Sequence, residues 1–166
     1  MPTNQPDATQ LLIADHRKVE ELFAKFEKAS GASAKRTLVE QICTELKVHA
    51  TIEEEIFYPA LEGKIDADLL KEAYVEHDGA KVLINDLEQA EPNEEFYDAK
   101  VKVLSEQIEH HVMEEEKERD NMFQQARASD VDLDALGRRM EARKQELMAE
   151  AEAGGLPPAQ PTAVAV

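Results

Sequence analysis

Apolar residues recur at alternating intervals of three and four along four long stretches of this chain, and no other feature constrains the fold as strongly. This spacing puts the apolar side chains on one stripe of an α-helix and is typical of the contact surfaces in a left-handed helix bundle. The stretches span residues 8–29, 34–61, 67–90 and 95–127, and no run with the alternation of a β-strand competes with them. Short connections make consecutive helices antiparallel neighbours. The sequence therefore predicts an all-α fold, an antiparallel up-down four-helix bundle with an additional C-terminal helix.

The residues around this bundle predict one further helix and two ends without regular structure. The bundle accounts for residues 8–127, and residues 128–152 predict a C-terminal helix with apolar positions at helical spacing. Residues 1–7 are expected to be a flexible N-terminus. Residues 153–166 combine glycines and prolines with no amphipathic period, which predicts a disordered tail. Pro59 predicts a kink or an early end in the second helix, because its ring removes a backbone hydrogen bond.

The charge balance and the cysteine count exclude several classes of function. Acidic side chains outnumber basic ones 36 to 19, and the net charge of −17 disfavours binding to nucleic acid or to an anionic membrane surface. The single cysteine, Cys43, can form neither an internal disulfide nor a thiolate zinc site, which fits a reducing compartment. The first ten residues lack the features of a secretory signal, and no uncharged run is long enough to cross a bilayer. We therefore expect a cytoplasmic protein, either a monomer or a homodimer.

Histidine or glutamate interrupts each apolar stripe near one level of the bundle. Counting residues from each connection, at a rise of about 1.5 Å per residue, puts these interruptions at similar heights on neighbouring helices. Two residues at positions i and i+4 share a helix face, so both members of an HxxxE pair can point at one centre. Six side chains are therefore predicted to converge on one layer of the core: His16, His49, Glu53, His77, His111 and Glu115.

An internal repeat relates the two halves of this constellation. A shift of 61 residues carries His16 onto His77, and a shift of 62 residues carries the pair of His49 and Glu53 onto the HxxxE pair of the fourth stretch. Each half thus supplies one lone histidine and one HxxxE pair. The predicted site has pseudo-twofold symmetry.

Burial of these groups indicates bound metal. An unpaired carboxylate in a bundle core is costly, and two carboxylates with four imidazoles need a compensating charge. Imidazole and carboxylate ligands suit iron, manganese or zinc. Because six ligands exceed the four of a structural zinc site, two metals bridged by Glu53 and Glu115 are predicted, with open positions for water or a diatomic ligand.

Other interpretations of these residues stay open at this stage. A lone core histidine is most often held by ordinary hydrogen bonds, so a metal-free bundle is the alternative. An error of one residue in the helix register would exchange His111 for His110 and Glu115 for Glu114. His110 otherwise points about 100° away from the seam.

Three neighbours of the seam residues are given plainer roles. Glu54, in the middle of a run of three glutamates, is expected on a solvated face. Tyr58 could hydrogen-bond near the site, but we expect it only to pack. Glu118, which continues the fourth stripe, is expected to lie at a helix end or outside the ligand set.

The order of the motifs resembles the hemerythrin-like HHE cation-binding family. The resemblance rests on "ADH", "HATIEEEIFYPAL" and "HHVMEEE", and it covers Leu11 to Gln125. It implies a four-helix bundle that holds two iron ions bridged by oxide or hydroxide. It also implies a role for each of the six residues: terminal ligands for His16, His49, His77 and His111, and bridging ligands for Glu53 and Glu115.

The chain departs from the oxygen-carrying hemerythrins at two helices. Those proteins have HxxxH on the third helix, whereas the positions one turn either side of His77 are Ala73 and Lys81. Their fourth helix places an Asp five residues after its histidine, whereas Glu115 follows at four. Fewer histidines imply more open irons, so we expect reaction with oxygen, peroxide or nitric oxide, in stress response or iron handling. The alternative is an iron or oxygen sensor, or an iron-binding module, that acts through a partner without turnover.

Overall fold

Helices account for most of the computed structural model, which describes residues 4–165. These described residues contain no β-strand. Two short π-helical turns, Glu53–Phe57 and Met113–Lys117, interrupt the α-helical structure. The described residues form seven α-helices: α1 (Ala8–Lys28), α2 (Ala32–Ile52), α3 (Tyr58–Leu61), α4 (Ala67–Gln89), α5 (Tyr97–Val112), α6 (Met122–Ala128) and α7 (Leu133–Gly154).

The four-helix bundle is formed by α1, α2, α4 and α5. Helix α1 packs on α2, α2 packs on α4, α4 packs on α5, and α5 returns to α1. Helix α2 continues through the first π turn into α3, just before Pro59, and the second π turn extends α5. The all-α bundle with an additional C-terminal helix is as predicted. None of the helices in the described part of the chain is long and apolar enough to span a membrane.

Side chains at the helix starts satisfy backbone groups that a helix leaves unpaired. Asp7 and Gln10 form a reciprocal capping box at α1, in which each side chain accepts a hydrogen bond from the other's backbone N–H at 3.0 Å. Asp66 caps α4 in the same position, by accepting from two backbone N–H groups. The chain then leaves α3 through Gly63, at φ 73°, a left-handed conformation that glycine adopts without strain. The two caps fix where α1 and α4 begin.

Two apolar clusters fill the bundle, one on each side of the polar layer. One cluster lies near the start of α1 and the end of α2, with Leu12 and Phe57 fully buried. The other lies near the end of α1 and the start of α2, with Phe23 and Ile42 among its members. Because neighbouring helices are antiparallel, the histidines and glutamates between these clusters form one layer. Tight packing on both sides holds that layer in place.

The fourth predicted stretch is not one continuous helix. The backbone N–H of Glu118 bonds to the carbonyl of Met113 at 2.9 Å, which closes the second π turn. Asp120 then adopts φ 56°, and Asn121 caps the start of α6. The prediction of a helix over 95–127 is therefore corrected between Glu118 and Asn121, because a strong local cap competes with continuation of the stripe.

Helix α7 docks across α1 and α2, an arrangement that the sequence left undetermined. Its Gly137 lies so close to the chain entering α1 that a Cβ atom there would be 2.7 Å from the Pro6 carbonyl oxygen. Pro6 thus packs against α7, and Asp7 caps α1. The predicted flexible N-terminus is corrected at these two residues, and residues 1–3 lie outside the described part.

The chain after α7 lies against the bundle, contrary to the predicted disordered tail. Helix α7 extends to Gly154. Residues 155–165, named here the C-terminal strap, lie along the surface of α4 and bond to its side chains. Asp78 accepts hydrogen bonds from the backbone N–H groups of Thr162, Ala163 and Val164 at 2.7–2.8 Å. Side chains of the bundle thus form hydrogen bonds with backbone groups of the strap. These bonds order the strap although its sequence has no amphipathic period. Val166 lies outside the described residues.

Candidate metal centre

The six predicted side chains converge in the polar layer between the two apolar clusters. His16 comes from α1, His49 from α2, His77 from α4 and His111 from α5. Glu53 and Glu115 lie in the two π turns, directly beyond α2 and α5. None of the six is more than 8% exposed. The structure therefore brings together every residue that the spacing argument singled out.

Their donor atoms form two groups of three. In each group the ligand atoms lie within 4.8 Å of one another, the groups being His16, His49, Glu115 and Glu53, His77, His111. Each glutamate also reaches the other group. Glu53 Oε1 lies 2.8 Å from His49 Nε2 and 3.3 Å from His77 Nε2. Glu115 Oε1 contacts His111 Nε2 and lies 3.8 Å from His16 Nε2.

The two π turns place these glutamates. In each turn a backbone N–H bonds to the carbonyl five residues earlier, from Tyr58 to Glu53 and from Glu118 to Met113. The extra residue per turn widens the helix where the carboxylate enters the core, and such turns are frequent at functional sites. Pro59 follows the first π turn and cannot supply an α-helical N–H, which was the one sequence signal for this irregularity.

Several polar atoms at the centre are buried without a hydrogen bond. They include both ring nitrogens of His16 and both carboxylate oxygens of Glu53 and Glu115. The close approach of His49 Nε2 to Glu53 also lacks hydrogen-bond geometry. An unsatisfied buried polar group costs about 1–3 kcal/mol. A set of nitrogen and carboxylate donors in this condition fits metal cations, which would bind the inward-facing nitrogens and carboxylate oxygens together.

The electrostatics of the layer favour positive charge between the histidines and glutamates. Burial would lower the pKa of His49, but the Glu53 and Asp15 carboxylates raise it to about 10. Burial together with the Glu53 charge raises the pKa of Glu115. His16 differs, since burial and the neighbouring His49 lower its pKa to about 4 and keep its ring neutral. A neutral imidazole beside a carboxylate in need of a cation suits metal binding.

The structure also decides the register of α5. His111 and Glu115 point inward, at 5% and 1% exposure, whereas His110 is 63% exposed. His110 Nε2 lies 3.1 Å from both Glu76 Oε2 and Glu114 Oε1 on the surface. The alternative pair of His110 and Glu114 is therefore excluded from the buried layer.

Comparison with known proteins agrees with this geometry. Residues 7–126 match the model of the hemerythrin HHE cation binding domain. The chain belongs to this family. A hemerythrin HHE cation binding domain-containing protein from Mycobacterium kansasii shares the fold, with a TM-score of 0.75 and 24% identity over 89% of this chain and 91% of that one. The family resemblance read from the motifs is confirmed, and the chain is a metal-binding HHE domain.

A curated relative matches a shorter part of the chain. A protein of a Nostoc species, described as a DNA nickase, is 28% identical over 102 residues. The matched region is 61% of this chain but 29% of the relative. This HHE domain thus corresponds to less than a third of that protein.

Each histidine of the HHE centre has a second carboxylate behind it. These four outer carboxylates face the Nδ1 atoms of the rings, so that the Nε2 atoms point toward the interior. Such partners fix the orientation of a metal-binding histidine and raise its basicity. The distances are 3.1 Å from Asp15 to His49, 3.2 Å from Glu54 to His77, 2.8 Å from Glu76 to His111 and 3.7 Å from Glu116 to His16.

The outer carboxylates follow the internal repeat. Asp15 and Glu76, each directly before a lone histidine, serve the HxxxE histidine of the same half. Glu54 and Glu116, each directly after an inward glutamate, face the lone histidine of the opposite half. The expectation that Glu54 is only a solvated residue is therefore wrong. The repeat itself carried this signal, since an acidic residue occupies all four positions.

Two further side chains, both outside the predicted set, contact the HHE centre or one of its outer carboxylates. Tyr58 Oη lies 3.2 Å from His77 Nε2 and 3.3 Å from His111 Nε2, with the residue fully buried. The expectation that Tyr58 only packs is wrong, because the π turn brings it back over Glu53. Lys144 of α7 donates to Asp15 at 2.5 Å and so ties the C-terminal helix to His49.

Proposed function

We propose that this HHE domain binds two iron ions and reacts with a small oxidant, either oxygen, peroxide or nitric oxide, in stress response or iron handling. The arrangement of the two donor groups carries the proposal, since both glutamates lie between them. His16 and His49 would hold one iron, and His77 and His111 the other. Glu53 and Glu115 would be shared. Bound iron would supply redox chemistry and open positions for the oxidant.

The chain's own residues would prepare the site for this chemistry. Three of the outer carboxylates bond to the Nδ1 atoms of His49, His77 and His111, which leaves Nε2 of these rings directed at the centre. Burial and the charges of Glu115 and Glu53 raise the pKa of Tyr58 well above its ordinary value. Its hydroxyl therefore stays protonated next to His77 and His111. It can donate a hydrogen bond to a small molecule bound at that side of the centre.

Small ligands are favoured over macromolecules as partners. The nicking activity named for the Nostoc relative is not carried over, because a net charge of −17 opposes binding along a DNA backbone. We place the protein in a reducing compartment such as the cytoplasm, as a monomer or homodimer. The fully sequestered thiol of Cys43 fits that setting.

The first experiment compares two adjacent histidines. Wild-type protein produced with iron is expected to contain about two irons per chain, with charge-transfer bands in the near-ultraviolet and visible spectrum. His111→Ala should lose iron and the bands, whereas the matched variant His110→Ala should keep both, because His110 is 63% exposed. One zinc per wild-type chain, no metal, or equal behaviour of the two variants would refute the proposal.

A second candidate function is sensing or storage without turnover. It is favoured by the contacts of α7 and the strap with the outer carboxylates, Lys144 with Asp15 and Thr162 with Glu54. Metal occupancy could then alter the C-terminal elements and signal to a partner. Protection of residues 128–165 from protease on iron binding, with no catalytic decay of peroxide, would support sensing. Peroxide decay that is lost in His77→Ala would support the enzyme.

A further inference from the structure

A cavity of about 370 Å³ extends from the metal centre to the underside of the C-terminal strap. Its inner end is lined by the four histidines, and its outer end lies between α2, α4, α7 and the strap. Ligand sites in proteins begin at about 300 Å³, and one water takes about 30 Å³ of liquid volume. Two metals and their bridging atoms would fill the inner end only. The remaining space exceeds the needs of a diatomic ligand.

The walls of this cavity are largely apolar. Side chains from five helices contribute the apolar surface, and most are almost fully buried: Val19, Leu46, Ala80, Ile84, Ile108 and Leu147. A molecule in contact with these residues would lose apolar surface to the protein rather than to water.

Every cation on the walls already has a carboxylate partner. Lys47 donates to Glu88 at 3.0 Å, Lys81 to Glu54 at 2.9 Å and Arg143 to Glu55 at 2.8 Å. The wall carboxylates are matched in the same way, apart from the exposed Glu150. None of these three wall cations is left unpaired to hold an anionic ligand. The occupant that suits these walls is therefore uncharged.

The strap forms a specific roof over the outer end. Asn85 and Ala159 exchange two hydrogen bonds of 2.8 Å, and Lys47 donates to the Leu156 carbonyl at 3.3 Å. Asp78 holds the far end of the strap through three backbone N–H groups. The strap lies beyond residues 7–126, which match the family model, so this roof is an addition to the matched domain.

We propose that this cavity is a binding site for a small, uncharged and mainly apolar organic molecule of about ten non-hydrogen atoms, held under the strap next to the metal centre. The inference rests on the proposed function only in placing metals at the inner end. Binding to the cavity itself depends on the walls and the roof.

Indole is a suitable probe, because it has the required size and polarity and the chain contains no tryptophan to mask its fluorescence. We expect saturable 1:1 binding, with a blue shift of indole emission, to both metal-free and zinc-loaded protein. Indole-3-acetate, which carries a negative charge, should bind the metal-free protein at least tenfold more weakly than indole does, and the two probes are compared on that form. Absence of saturable indole binding, or equal binding of the charged analogue, would overturn the proposal.

Two substitutions on α4 locate the site. Ala80→Phe, which fills the cavity, should weaken indole binding at least tenfold, whereas Val82→Phe, at a position that is 68% exposed, should leave it unchanged. Circular dichroism establishes that each variant is folded, and Leu147→Phe replaces Ala80→Phe if the latter is not. Equal binding by wild type and a folded cavity-filling variant would contradict the location. Asn85→Ala should speed indole release, because it removes two bonds of the roof.

Iron content is measured separately on the same preparations. Protein that takes up two irons but does not bind indole would overturn only this inference. Protein that binds indole but takes up no iron would overturn only the proposed function.

Discussion

Replacement of Asp15 tests whether the outer carboxylates position the histidines of the centre. Asp15 accepts from His49 Nδ1 at 3.1 Å and from Lys144 Nζ at 2.5 Å, and it is 7% exposed. In Asp15→Asn the side chain keeps its shape but loses its charge. His49 then loses an anionic partner, and Lys144 loses its counterion.

The expected magnitude follows from the number of groups affected. Removal of one outer partner typically reduces metal affinity by about 10- to 100-fold, which corresponds to about 1.4–2.7 kcal/mol. We expect Asp15→Asn to fall in this range, since one of the six proposed ligands loses its partner. Lys144→Met should reduce the metal affinity less than Asp15→Asn does, because Asp15 itself remains. Lys144→Arg should retain most of the wild-type affinity, because arginine can also pair with Asp15.

Competition for zinc or iron(II) against a chromophoric chelator measures this effect. Asp86→Asn is the matched control, because Asp86 forms a similar ion pair with Lys100, at 2.5 Å, but lies on the surface and away from the centre. An affinity for Asp15→Asn within twofold of wild type would refute the positioning role. An equal loss in Asp86→Asn would show that the effect is one of overall charge.

Three further predictions concern stability and reactivity. Gly137→Ala should lower the free energy of unfolding by about 1–3 kcal/mol, because the added Cβ would lie 2.7 Å from the Pro6 carbonyl oxygen. The control Gly79→Ala, at a position with open space around it, should leave stability unchanged or raise it. Thermal melts compare the two variants, and equal effects would contradict the docking of α7. Burial raises the pKa of Cys43 to about 12. A thiol reagent at pH 8 should therefore label the native protein far more slowly than the urea-unfolded protein. Fast labelling of the native protein would contradict the burial of Cys43. Metal at 100 times its Kd should stabilise the folded protein by about 2.7 kcal/mol, so removal of the metal should lower the melting temperature. An unchanged melting temperature would mean that the metal does not bind the polar layer of the folded protein.

The sequence alone determined the four bundle helices, apart from the break between Glu118 and Asn121, and the convergence of the six side chains. Apolar spacing identifies the buried stripe of each helix, and short antiparallel connections turn residue counts into heights, so the meeting of His16 and His49 follows from local geometry. That these residues hold two irons stays a prediction. The four outer carboxylates, each adjacent in sequence to one of the six side chains, also follow the internal repeat. Only the structure shows which histidine ring each of them faces.

The tertiary structure decided everything that depends on contacts between distant segments. Lys144 and Asp15 are separated by 129 residues, and Val164 lies 86 residues from the Asp78 that binds it. No local period encodes such pairs, because neither α7 nor the strap has to face a particular side of the bundle for its own secondary structure to form. The packing of Gly137, the bond between Lys144 and Asp15 and the hydrogen bonds of the strap select one arrangement. That arrangement closes the cavity beside the centre.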